Sequence, residues 1–292
     1  MMRIRSENDF VGIDNDNRFI GTAPKMKNSS IVFNGANNIL YCDFDGNVEL
    51  VDSEIVFNGN NSIVFLCSNN HQYKLKLSLN NDNVFYMGKD NYINGAITAI
   101  MSEQKHVFIG NNCLFSIDVW IRNADPHLVY DKKTMSRVNP TKSIFIGDHV
   151  WVGQSAIILK GSRIHSGSII GAMSLVAGKQ IPSNESWGGN PIRKISKNIF
   201  WSGECVHRWT SKETESYNKT KSNKFWFSMK QDEFLPFEQI DDTLSDSTSS
   251  LDDKLDFLRM ISGSGKKNRF AYKTTRRIPL IKRIKWFPCL DH

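Results

Sequence analysis

From Ile146 to Val176 an aliphatic side chain returns at every sixth residue: Ile146, Val152, Ile158, Ile164, Ile170 and Val176. Neither regular element keeps that time. A helix brings its apolar face round after about 3.6 residues and a half-buried strand after 2. Aliphatic residues make up about a third of an ordinary sequence, so six matches at one fixed spacing arise by chance about once in a thousand trials. Short strands joined by corners every six residues cannot pair as ordinary hairpins. They can coil, three sides to a turn, with the periodic residues stacked inside. The position after each aliphatic residue is small in several sides (Gly147, Gly153, Gly171, Ala177), and the fifth position is compact (Val150, Ala156, Ser162, Ser168, Ser174). A tight corner and a narrow interior require both. The pattern predicts an all-β chain built as a triangular parallel solenoid.

Upstream the period persists less regularly. Ile109, Phe115 and Ile121 are six apart, and "IVFNGANNIL" (31–40) is nearly copied 24 residues later by "IVFNGNNSIV" (55–64). Glycine beside Asn or Asp is corner chemistry, because these residues tolerate positive φ. The rhythm breaks once. After Ile121 the next beat is due at position 127 and comes at Ile146, so 19 extra residues leave the coil as a loop within 122–143. A long loop inside a compact repeat is commonly functional. The reading divides the chain into irregular coils over 1–104, regular coils over 105–200 and a C-terminal extension over 201–292. In the extension, "DDTLSDSTSSLDD" reads as an acidic linker, and "LDDKLDFLRMI" (251–261) carries an apolar face at helical spacing.

Composition adds limits. At 292 residues and 40% hydrophobic, the chain is long enough to bury a sizeable core. The N-terminus is polar and no run approaches the ~18 apolar residues of a membrane span, which predicts a cytoplasmic protein. The five cysteines lie far apart without a CxxC pair, as reduced thiols do. The net charge of +7 is local: residues 266–285 hold nine Lys or Arg and no acid, which leaves −2 for the rest (7 − 9). Basic and apolar residues alternate there, so 266–287 is expected to touch an anionic membrane face or an acidic polysaccharide. No nucleic-acid motif accompanies it.

"IGDHVWVGQSAIILKGSRIHSGSIIGAMSLVAGKQIP…GGNPIRKI" resembles the hexapeptide-repeat acyltransferases, and among them most closely the O-acetyltransferases of bacterial capsular polysaccharide and sialic acid. The resemblance runs over about 105–201. It implies a left-handed parallel β-helix with an extruded catalytic loop, a homotrimer with active sites between neighbouring prisms, and acetyl-CoA lying along the coils. The expected activity is acetyl transfer from acetyl-CoA to a hydroxyl of a polysaccharide or other glycan acceptor, without a metal.

The same resemblance places the catalytic histidine at His127, in "ADPHLVYD" of the loop. A general base that titrates near neutrality suits removal of a proton from a sugar hydroxyl. Asp125 and Asp131 are near enough in sequence to orient its imidazole. Trp151, in "HVWVG", stands where related enzymes line the active site with tryptophan, and its indole N–H suits a developing oxyanion. By motif match, Ser155, Ala172, Met173, Gly178 and Lys179 contact acetyl-CoA, and Arg193 reaches its phosphates. Ile192 stands where the family has alanine, so a narrower cofactor groove is expected. Trp120 and Trp187 are further stacking candidates, His149 reads as outward-facing in mid-side, and His165 stands where a small corner residue is usual.

Three alternatives accompany this reading. A small sugar or amine acceptor would use the same coils and histidine. A zinc hydro-lyase would need His127, His149 and His165 to converge, yet the last two hold different positions in their six-residue sides. A non-catalytic scaffold would have no use for the loop histidine or for "GGNPIR".

Overall fold

The computed structural model describes residues 1–11, 13 and 16–273. Short strands stack into three sheets that form the sides of a triangular prism. The first face runs from Met2–Ile4 through Ser30–Phe33, Glu54–Phe57, Leu75–Leu79, Ile97–Met101, Val119–Arg122 and Ile157–Leu159 to Leu175–Val176. The second runs from Arg18–Gly21 to Gln180–Ile181, and the third includes Tyr92–Ile93, Leu114–Phe115, Trp151–Val152, Ile169–Ile170 and Glu185–Gly188. Neighbouring rungs are parallel, except at the two ends, where Met2–Ile4 and Arg193–Lys197 pair antiparallel.

The register explains the period. Ile146 pairs with Ile164, Val152 with Ile170 and Ile158 with Val176, so one turn consists of three sides of six. All six periodic residues are fully buried. The near-copies at 31–40 and 55–64 are also stacked rungs: Ile31 pairs with Ile55 and Ile39 with Ile63, a turn of 24. Their asparagines form ladders at the corner between the first and second faces, with Asn34 donating to Asn58 at 3.1 Å and Asn37 to Asn61 at 2.8 Å. Stacked amides satisfy one another up the corner as they do in other in-register sheets. One interior runs from Ile4 to Ile192 without a break at 104. Gly153 shows how tightly rungs approach, since a Cβ there would lie 2.5 Å from the Ala172 nitrogen.

The loop has the length the broken rhythm requires. Val107 pairs with Ile144, a step of 37, against 18 in the later coils, a difference of 19. Ile192 departs from the sequence reading. It is 4% exposed and packs into the end of the interior, so it closes the prism rather than narrowing a surface groove.

The extension differs more. It contains a short helix, α1 (Ser211–Ser216), and then the stretch read as a linker, which is mostly helical. That stretch spans the end of α2 (Phe237–Ser245), a turn and the start of α3 (Leu251–Gly263). Ser250 caps α3 by accepting from the Asp253 amide at 3.1 Å, with the Asp253 carboxylate returning to Ser250. Both α2 and α3 lie on the outside of the second face. There Tyr41, Phe65, Tyr86, Phe108 and Phe145 form an outward column, with ring centroids 4.1 Å apart for Tyr41–Phe65 and 4.4 Å for Tyr86–Phe108. Phe237, Ile240, Leu244, Leu255, Leu258, Ile261 and Phe270 cover it. Burial of such side chains stabilises the fold by about 1.5–3 kcal/mol each.

The basic stretch 266–287 lies mostly outside the described residues, as do Cys289 and His292. Its described beginning is partly interior. Arg269 is 1% exposed and holds Asp148 in a two-pronged ion pair, so this cation fastens the extension to the prism and is not free for an outside partner. No described helix is long and apolar enough to cross a membrane.

Candidate active site

The loop leaves the prism at the corner between the first and second faces and is tied back to it. Asn123, fully buried, accepts from the Ser102 amide at 2.9 Å and donates to the Lys105 carbonyl at 2.9 Å. Beyond it the chain forms a small hairpin in which Tyr130 bridges Arg137. Arg137 clasps Glu103 with two hydrogen bonds of 2.7 and 2.9 Å, and Thr141 donates to the same carboxylate. Together they hold the Glu103 carboxyl down at about 2.

Asn139 is the centre of the loop. Its amide donates to the His127 carbonyl at 2.8 Å and to Asp125 at 3.1 Å, while its oxygen accepts from the Val129 amide at 2.9 Å. Lys160, from the next coil, reaches Asp125 at 2.6 Å and the Asn139 carbonyl at 3.1 Å. The Lys160 ammonium and then the Asn139 amide lower the Asp125 carboxyl below its usual range, so it remains an anion. His127 is thereby fixed by its backbone, and its side chain stands in solvent. Neither aspartate orients the imidazole within this chain. The Asp131 carboxylate accepts from the amides of Lys133 and Thr134 and shapes the hairpin turn, while Asp125 anchors the base of the loop.

Trp151 lies on the third face, 38% exposed, between Leu114 and Ile169 in adjoining rungs. In a triangular prism that face is opposite the corner carrying the loop. One chain does not bring His127 and Trp151 together, and among the described residues no hydrogen bond or ring contact joins them. Beside Trp151, His149 turns the corner at φ +54° and is 5% exposed. It is neither mid-side nor outward into solvent, as the sequence reading had it. Trp201 and Phe225 of the extension stack on its ring at 3.9 and 4.2 Å, nearly parallel. Trp201 also donates to the His149 carbonyl at 3.0 Å and lies 5.9 Å from Trp151. Sequence reasoning missed Asn139, Lys160 and Trp201, which hold the two candidate groups in place.

His165, likewise buried, stacks between Phe237 and Tyr272 at 4.7 and 4.5 Å. His127, His149 and His165 thus occupy three separate surroundings. Among the described residues no cluster of three His, Cys, Asp or Glu could hold a metal ion.

The candidate acetyl-CoA residues fall on two corners that flank the first face. Ser155 and Met173, one full turn apart with φ near +55°, stack at the corner between the third and first faces, with Ala172 beside them. Met173 is 77% exposed, and Ile157 on the face between is 40% exposed. Gly178, at φ +59°, and Lys179 lie at the opposite corner. Arg193 lies in the exposed end strand Arg193–Lys197. Trp120 is exposed on the first face and donates to Asp118 at 2.9 Å, and Trp187 donates to Glu185 at 2.8 Å. Exposed apolar side chains between cationic and backbone donors suit a long thiol cofactor with a phosphate end.

No family model matches the chain. Sequence comparison finds the polysialic acid O-acetyltransferase of Escherichia coli O1:K1, 33% identical over 107 residues, which are 37% of this chain and 34% of that enzyme. The polysialic acid O-acetyltransferase of Neisseria meningitidis is 29% identical over 189 residues, 64% of this chain and 86% of that enzyme. The match therefore spans about a third of the first enzyme and most of the second. In structure, the polySia-specific acetyltransferase NeuO superposes with a TM-score of 0.56 at 28% identity, over 69% of this chain and 95% of that one. The chain is a homologue of these acetyltransferases. Its solenoid matches the left-handed β-helix of the acetyltransferases, as the family resemblance implies. Within this chain the His127 imidazole and part of the Trp151 indole are left exposed by the coil.

Proposed function

We propose that the chain is an acetyl-CoA-dependent O-acetyltransferase that modifies a hydroxyl of an acidic capsular or surface polysaccharide. The observation that carries the reading is the correspondence of the prism with nearly the whole of a polysialic-acid-specific acetyltransferase. In the proposed reaction the His127 imidazole takes the proton of the sugar hydroxyl as its oxygen attacks the thioester carbonyl. The Trp151 indole N–H donates to the oxyanion that forms. The C–O bond forms, the C–S bond breaks, and the proton on His127 passes to the departing CoA thiolate. Ser155, Ala172, Met173, Gly178 and Lys179 would line the donor's path, with Arg193 at its phosphates.

The opposed positions of His127 and Trp151 support a homotrimer in which the loop of one copy meets the third face of its neighbour. Dependence on acetyl-CoA implies action in the cytoplasm. The basic stretch 266–287 would keep the enzyme near an anionic membrane face or its polyanionic acceptor. A thiol-release assay with acetyl-CoA and polysialic acid tests the reading. Acceptor-dependent release of CoA, abolished in His127→Ala, is the expected result. Release with small sugars or amines and none with any polymer would reassign the acceptor, and no release with either would remove the activity.

A further inference from the structure

Trp151 belongs to a continuous outward column on the third face. Below it come Leu114 and Tyr92, paired rung by rung. Further down, Glu49 pairs with Lys25, and Gln72 donates to Glu49 at 3.3 Å. Beneath Trp151, a cavity of about 410 Å³ opens on this face, lined by Lys25, Glu49, His71, Gln72, Lys74 and Tyr92 among others. The Tyr92 ring is 44% exposed, and the His71 ring meets it edge-on at 5.1 Å. A larger cavity, about 700 Å³, opens at the N-terminal end of the first face near Arg3 and Glu54, on a different side from Trp151.

We propose that this side of the third face is a subsite for an extended anionic glycan, with Tyr92 as a stacking platform and Lys25 and Lys74 as its cations. The inference rests on the acetyltransferase reading and extends it from the reacting sugar to the polymer behind it. Five rungs separate Trp151 from Lys25, about 24 Å at the usual strand spacing. That track suits a chain of sugars and exceeds a single ring. An exposed aromatic face presents an apolar surface to a sugar ring, and amide and hydroxyl side chains supply donors and acceptors around it. Two lysines against one carboxylate leave the cavity positive, and Glu49 is already engaged by Gln72.

The test compares wild type with Tyr92→Ala, Tyr92→Phe and the double variant Lys25→Ala/Lys74→Ala, using polysialic acid and a sialic acid dimer as acceptors. The alanine variants should raise KM for the polymer about tenfold, the loss of one contact of about 1.4 kcal/mol, with kcat within about twofold. Activity on the dimer should be unchanged, and Tyr92→Phe should behave as wild type. An unchanged polymer KM, or an equal loss on the dimer, overturns the subsite. Calorimetric titration of the same proteins with polysialic acid separates the two readings. If wild type binds the polymer and the variants bind it weakly, the subsite stands even where no CoA is released. If wild type does not bind it, the subsite falls.

Discussion

The guanidinium of Arg269 donates to the Asp148 carboxylate through Nε at 2.9 Å and Nη2 at 2.8 Å, across 121 residues of chain. Its remaining Nη1 donates to the Ile261 carbonyl at 2.7 Å, at the end of α3. One buried side chain thus ties a prism corner to the helices that cover it. Removal of one partner strands a buried charge, so Asp148→Ala is expected to cost about 3–5 kcal/mol. The double variant Asp148→Ala/Arg269→Met should recover much of that loss. Denaturant unfolding of the three proteins checks it, and equal losses in single and double variants would count against the pairing.

The loop is anchored by charge at its base. Lys160→Met frees Asp125 and the Asn139 carbonyl together, which loosens the Asn139 brace that holds the His127 backbone. We expect kcat to fall by at least about tenfold, as small misplacements of reacting groups do. The KM for acetyl-CoA and the melting temperature should hardly change. Steady-state kinetics beside a thermal melt would show whether the loss is positional.

His127 and Trp151 lie on opposed sides of one prism, so their joint use needs two copies. His127→Ala and Trp151→Ala, each inactive alone, should regain about a quarter of wild-type activity when mixed evenly during refolding or coexpression, the statistical share of intact sites in a random trimer. No recovery in the mixed protein would mean that each chain builds its own site.

Burial pushes the imidazoles of His106 and His165 down to about 3. The unfolded chain binds protons at both from about pH 6.5 downward, whereas the folded chain does not. Stability is therefore complete above pH 6.5 and falls as the pH drops towards 3. Each histidine contributes a slope of about 1.4 kcal/mol per pH unit within that window. Burial lowers the His149 imidazole as well, so His149 adds to the slope of the other two. Chemical denaturation at pH 7, 6 and 5 should show it, and His165→Gln should remove that histidine's share of the slope.

The prism was legible because its determinants are local and repeated. Each of the six aliphatic residues from Ile146 to Val176 does the same thing one side further on, and the missing beats between Ile121 and Ile146 measure the loop. The second face also carried a readable signal that the hexapeptide period obscured. Strands such as Ile39–Cys42, Ile63–Leu66 and Val84–Met87 are apolar at every position, the mark of strands buried on both sides. That run announces a cover without saying which segment supplies it. The partners of His149, His165 and Asp148 lie 52 to 121 residues away in the extension, and no spacing in the sequence connects them. Asp125 lies in the loop, but its carboxylate is held by Lys160, a pairing visible only once adjacent coils are stacked.

The aromatic column on the second face has a consequence for synthesis. The last strand of the prism ends at Lys197, whereas Phe270, which closes over Phe108 at 5.4 Å, emerges a quarter of the chain later. A growing chain therefore carries a finished solenoid with a greasy seam along one side until the extension has left the ribosome. Ribosomes that stall or terminate within that interval would release a solenoid with this adhesive seam uncovered, so premature termination there favours aggregation.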